Sequence, residues 1–127
     1  MSPLPTLLRR PLWLAAIATA AATCATAQPA APPADFAVCT ACHEIKPNGV
    51  SLGPTLFGIA GRKAGSVADY DYSPAMKAWG MSWTPENLAA FILDPAKTVP
   101  GNKMDYSGAS DAASAKAIAD YLATLKP

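Results

Sequence analysis

The chain has 127 residues, enough for one small domain, and its ten Lys/Arg against nine Asp/Glu give a formal net charge of +1. That balance offers no basic face of the kind nucleic acid requires. It makes no strong electrostatic case for an anionic membrane surface either.

Residues 1–27 read as a secretory signal peptide. Arg9 and Arg10 form its positive region, and Leu12 to Ala22 form an apolar run of 11 residues broken only by Thr19. A membrane-spanning helix needs roughly 20 apolar residues, so the run is short for that role. Ala25-Thr26-Ala27 fits a small-x-small cleavage site, which predicts a mature, periplasmic chain beginning at Gln28. Loss of Arg9 and Arg10 leaves eight Lys/Arg against nine Asp/Glu, so the mature polypeptide carries −1. Two lesser alternatives keep the protein on a membrane: an uncleaved segment, or a lipid on Cys24. Thr23 fits the second poorly, because Gly or Ala is usual before a lipidated cysteine.

Residues 28–33 (QPAAPP) form a flexible Pro/Ala-rich lead-in, and residues 34–127 form the folded domain. A short helix is predicted from Pro33 through Cys42, since proline suits a first helical turn. Glu44 to Gly65 is loop-like, with five glycines and two prolines. Ser73-Pro74 opens a helix to about Trp79, with Ser73 as its cap. Thr84-Pro85-Glu86 repeats that signature for a helix to about Leu93, in which Leu88, Phe91 and Ile92 recur at helical spacing. Asp94-Pro95 ends it, a short turn follows at Ala96 to Thr98, and Pro100-Gly101-Asn102 is another turn. The last helix is predicted from about Ser110 to Leu125. Its apolar stripe is Ala117, Ile118, Tyr121, Leu122 and Leu125. No strand of useful length is visible, so the domain reads as all-α. Short helices among so many Gly and Pro bury little apolar surface for their length. A large apolar group is expected in the middle.

Cys39-Thr40-Ala41-Cys42-His43 supplies that group, because it is the pattern that attaches a c-type haem. Two thiols add across the haem vinyl groups, and the following imidazole lies under the iron. Cys24 falls in the signal, so zinc would find only two cysteines and one histidine, short of its usual four ligands. A thioredoxin-like dithiol would want a βαβ context, which is absent. His43 is the only histidine, so ligation by two histidines of one chain is excluded. Met76, Met81 and Met104 are the candidates for the opposite face. Packing explains Met76, inside a helix, and Met81, beside Trp83. Met104 follows a Pro-Gly turn 61 residues after His43, enough chain to wrap around a haem. Thioether ligation favours Fe(II) and raises the reduction potential.

The blocks CTACH, GPTLFGIAGRKAG (53–65), Tyr70 to Trp83, VPGNKM and IADYLATL together resemble class I cytochromes c of the mitochondrial and photosynthetic-bacterial branch. The resemblance runs from about Phe36 to Leu125. It implies a small all-α cytochrome c fold, short helices and loops wrapped around one covalent haem c and its iron. It also implies an electron carrier that is not an enzyme. By the same resemblance Pro54 accepts a hydrogen bond from His43. Arg62, Tyr72 and Trp83 stabilise a haem propionate, and Leu56, Leu88, Phe91 and Leu122 pack on the haem. Tyr121 crosses the first helix near Phe36. Three positions depart from the family: Phe91 where Tyr is frequent, Asn102 where Thr is frequent, and Met76 where Asn is frequent. They predict fewer polar contacts around the Met104 sulfur, with a weaker hold or a shifted potential. Phe91→Tyr should then change the potential, which voltammetry would read. A short first helix, with Pro32 where a glycine is expected, predicts a looser crossing with the last helix.

The function so implied is a monomeric, single-electron shuttle. Its partners would be a quinol–cytochrome c oxidoreductase, a terminal oxidase or a periplasmic dehydrogenase. The alternatives are an electron-transfer subunit of a larger oxidoreductase and a peroxidase-like haem enzyme. The latter lacks a second histidine for acid–base work. Lys46, Lys97 and Lys103 are the candidates to fringe the haem edge. The set is sparse beside the lysine ring of mitochondrial relatives, so association should depend only shallowly on salt.

Overall fold

The structure, a computed structural model, describes Met1, residues 30–49 and residues 51–126. The signal peptide, its cleavage at Ala27 and a lipid on Cys24 concern sequence outside the described residues. Among the described residues the elements are a 3₁₀ helix at Ala34–Ala41, α1 at Pro74–Trp79, α2 at Pro85–Leu93, α3 at Pro95–Thr98 and α4 at Ala112–Thr124. They contain one isolated antiparallel bridge, Lys63 to Ser82. None of their helices is long and apolar enough to cross a membrane.

Each α-helix starts where a short polar side chain can satisfy an orphan backbone N–H. Ser73 Oγ accepts from Met76 N at 3.1 Å before α1. Before α2, Thr84 Oγ1 accepts from Asn87 N and Asn87 Oδ1 accepts from Thr84 N, a reciprocal cap. Asp94 Oδ1 accepts from Lys97 N before α3, and Asp111 Oδ1 accepts from Ser114 N before α4. Proline at the first position of α1, α2 and α3 costs nothing, because its missing N–H would have had no partner there. The expected start at Ser110 is thus two residues early, since Asp111 is the cap and Ala112 the first helical residue.

The core forms where α2 lies on α4. Leu88, Phe91 and Ile92 of α2 are buried, as are Ala115, Ile118, Ala119, Tyr121 and Leu122 of α4. Full burial of a Leu, Ile or Phe side chain contributes about 1.5–3 kcal/mol, so this contact dominates the fold. Ala117 is exposed and does not belong to the stripe. The 3.6-residue turn runs the buried face through Ala115, Ile118 and Leu122, with Ala119 in place of Ala117.

The 3₁₀ helix packs on α4 through Phe36, whose ring meets Tyr121 edge-on at 4.7 Å. Ser114 Oγ also donates to Asp35. The crossing expected to be loose is therefore held by an aromatic contact and a hydrogen bond. Segments 61–64 and 81–83 pair through Ala64 N to Met81 O, Trp83 N to Arg62 O and Gly61 N to Trp83 O. This pairing sets Arg62 beside Trp83 along the backbone.

Candidate functional site

The 3₁₀ geometry decides how the two thiols stand. Side chains three apart eclipse one another in this helix, so Phe36 and Cys39 share an edge, and Cys42 caps the helix end. Exposure rises along the chain: Phe36 is buried, Cys39 half-buried and Cys42 exposed. Both thiols are free. Burial pushes the Cys39 thiol up from its ordinary value, which keeps it protonated. Cys39 O accepts from both Cys42 N, at 3.2 Å, and His43 N, at 2.9 Å. This shared acceptor closes the helix and projects the His43 ring from its end.

The ring is then oriented from the other side. His43 Nδ1 lies 2.7 Å from Pro54 O. A carbonyl can only accept, so Nδ1 carries the proton and the neutral ring keeps its lone pair on Nε2. Burial lowers the His43 pKa, and the Pro54 bond opposes that, so the neutral form is favoured at physiological pH. Gly53 makes room for the ring. A Cβ there would sit 2.4 Å from His43 Cε1, and Gly53 N donates to Cys42 O at 2.7 Å.

Pro54 is itself held in place by two side chains whose bonding is not evident from residue pattern. Thr55, buried in a loop, donates from Oγ1 to Lys46 O at 2.7 Å. Arg62 donates from one guanidinium nitrogen to Thr55 O at 2.6 Å and from the other to Phe57 O at 3.0 Å. A guanidinium has five N–H donors. Arg62 therefore clamps the segment after Pro54 and still has donors for a carboxylate. Its charge also reaches Tyr72, whose hydroxyl burial pushes up and Arg62 pulls back. A Thr directly after Gly-Pro was the available sequence signal for Thr55.

The apolar side is one cluster. Leu56, Met76, Trp83, Leu88, Phe91 and Leu122 are buried together, with Cys39, Tyr72 and Met104 packed partly buried against them. Trp83 stacks at a tilt between Trp79, at 4.8 Å, and Phe91, at 5.2 Å. Met81 is 55% exposed, whereas Met104 faces the cluster. The turn before Met104 is organised by Asn102. Its Nδ2 donates to Pro95 O and Val99 O, each at 2.9 Å, and its Oδ1 accepts from Met104 N at 2.8 Å. Phe91 and Met76 keep the surroundings apolar, but the backbone of Met104 is firmly tied. Lys103 is also engaged: its Nζ donates to Asp71 O at 2.6 Å and pairs with Asp71 Oδ2 at 3.1 Å.

This donor set fits a haem: two thiols three residues apart for the vinyl groups, an imidazole with a free Nε2, a thioether on an apolar cluster, and spare guanidinium donors for a propionate.

Comparison with known proteins gives the same class. No family model matches the chain. Cytochrome c2 iso-2 of Magnetospirillum molischianum is 37% identical over 94 residues, 74% of this chain and 97% of that protein. Cytochrome c2 iso-1 of the same organism is 41% identical over 98 residues, 76% of this chain and 98% of its own length. The solved structure of cytochrome cH from Methylobacterium extorquens superposes with a TM-score of 0.63 at 46% identity, covering 70% of this chain and 90% of that one. A haem-attachment motif, a helical frame without strands among the described residues, and relatives matched along nearly their whole length agree. The chain belongs to the class I cytochromes c, electron-transfer proteins that carry one covalently bound haem c.

Proposed function

We propose that Cys39 and Cys42 hold the haem through thioethers, that His43 Nε2 and Met104 Sδ are its axial ligands, and that the protein shuttles single electrons in the periplasm. The observation that carries this reading is the 2.7 Å contact of His43 Nδ1 with Pro54 O. It selects the tautomer that leaves Nε2 as a ligand, and a carbonyl acceptor raises the basicity of a ligating imidazole. When bound, the haem supplies the Fe(II)/Fe(III) couple.

The chain's own residues supply the rest. Phe91, Leu56 and Trp83 keep water from the haem faces. Arg62 and Tyr72 offer donors to a propionate that would otherwise be buried at a cost of several kcal/mol. With both axial positions filled, no iron site is open to substrate, which favours the shuttle over a peroxidase. The residues before Gln28 act as the cleaved export signal. A quinol–cytochrome c oxidoreductase as donor and a terminal oxidase as acceptor complete the reading, as for family members in respiratory chains.

Optical spectra of the periplasmically expressed protein test it. The reduced form should show a c-type α-band, and the oxidised form a near-infrared Met–Fe(III) band that Met104→Ala abolishes. No α-band, or a near-infrared band that survives in Met104→Ala, would sink the assignment.

A further inference from the structure

Three segments frame the thiol pair. Residues 34–44 carry it. Residues 51–54 are tied to it by Gly53 N to Cys42 O at 2.7 Å. Residues 104–111 approach it through Tyr106, which shares a shallow depression of about 310 Å³ with Val38, Asp35 and Ser114. Tyr106 is also near enough for Cys39 and Asp35 to act on its hydroxyl.

The surface of these segments differs from the rest of the molecule in two ways. Val38 is 53% exposed and Leu52 is 77% exposed, two of the five large hydrophobic residues left to solvent among the described residues. The segments also hold four carboxylates, Asp35, Glu44, Asp105 and Asp111, and no lysine or arginine. None of the four is in an ion pair among the described residues. The nearest basic groups in sequence are Lys46, two residues past Glu44, and Lys103, which is engaged with Asp71. An apolar centre with an acidic margin is the reverse of a lysine-ringed face.

We propose that the surface bearing Cys42, Val38 and Leu52 is the docking face. It takes a redox-partner protein whose own contact surface is apolar and fringed by Lys or Arg. Contact across this face seats the partner against the thiol edge of the haem pocket, where electron transfer is shortest. Apolar burial supplies the affinity, and the carboxylates select against acidic partners. The proposal rests on the haem being held at Cys39 and Cys42.

Film voltammetry of the holoprotein on gold tests it, with alkanethiol monolayers ending in methyl, carboxylate or ammonium groups as the probes. A haem wave should be strongest on methyl or mixed methyl/ammonium layers and weak on carboxylate. The double variant Val38→Glu/Leu52→Glu, with an unchanged reduced α-band as its folding check, should lose about tenfold in coverage on methyl layers. Stronger coverage on carboxylate than on methyl would overturn the proposal, as would undiminished coverage by the double variant. Self-association of the holoprotein in sedimentation, lost in that variant, would make a second copy the occupant and also overturn it. A missing α-band would instead remove the haem assignment itself, so the two failures are told apart in the cuvette.

Discussion

Replacing Gly53 with alanine is expected to reduce the yield of holoprotein about tenfold or more, the scale on which residues behind a metal ligand act. A Cβ at this position would lie 2.4 Å from His43 Cε1 and 2.6 Å from Nδ1, where carbon atoms normally stay about 3.5–4.0 Å apart. The ring has little room to escape. Its Nδ1 is bonded to Pro54 O, and Gly53 N is bonded to Cys42 O. Relief therefore requires moving the imidazole off its axis or breaking the backbone bond beside the thiols. Haem content per polypeptide, by the pyridine haemochrome assay, reads the effect. Ser51→Ala in the same loop, at an exposed position, is the control expected to keep full haem content. A fully loaded Gly53→Ala protein with an unshifted Soret band would show that the close approach of Gly53 to the ring is unimportant.

The second large effect is expected at Asn102. Its side chain makes three hydrogen bonds, two to the backbone of α3 and the following turn and one to Met104 N. Each such bond contributes about 1 kcal/mol net. If swinging Met104 away breaks between one and all three, Asn102→Ala should let exogenous imidazole displace Met104 about five- to a hundredfold more easily. Titration of the ferric protein with imidazole, followed at the near-infrared Met–Fe(III) band, measures this. Asn102→Asp keeps the acceptor for Met104 N but turns a carboxylate oxygen toward the Pro95 and Val99 carbonyls, so it should be at least as impaired as Asn102→Ala. Equal imidazole affinity in all three proteins would remove Asn102 from the support of the ligand loop.

These two residues show where reading the chain worked and where it stopped. Cys39, Cys42 and His43 stood out as candidates because covalent attachment and ligation of a haem demand fixed residue types at fixed spacing. The helix starts at Ser73 and Thr84 were legible, since a cap followed by proline is a local device with local physics, whereas the same device at Asp94-Pro95 read as a helix end and a turn and in fact opens α3. The α4 stripe was legible only to within one position. Ala117 and Ala119 are the same residue type two apart, and only contact with α2 decides which is inside. Asn102 was visible as a departure from the family, but its bond to Met104 N and its two bonds to Pro95 O and Val99 O could not be read from the letter. An asparagine has two donors and an acceptor, and whether they find carbonyls depends on where Pro95 and Val99 sit.

Arg62 makes the same point more sharply. The family resemblance marked it as a propionate partner, yet two of its donors hold Thr55 O and Phe57 O, which shapes the segment carrying Pro54. Bonds to backbone carbonyls leave no pattern in sequence, because every residue has a carbonyl.

The chain alone thus determined the class of cofactor and the all-helical frame, and it marked the two thiols and the imidazole proposed to hold the haem, because each is written in short-range chemistry. Tertiary structure decided which His43 nitrogen is free, what holds Met104, and which charges surround the thiols. Those depend on groups far apart in the chain being brought within a few ångströms.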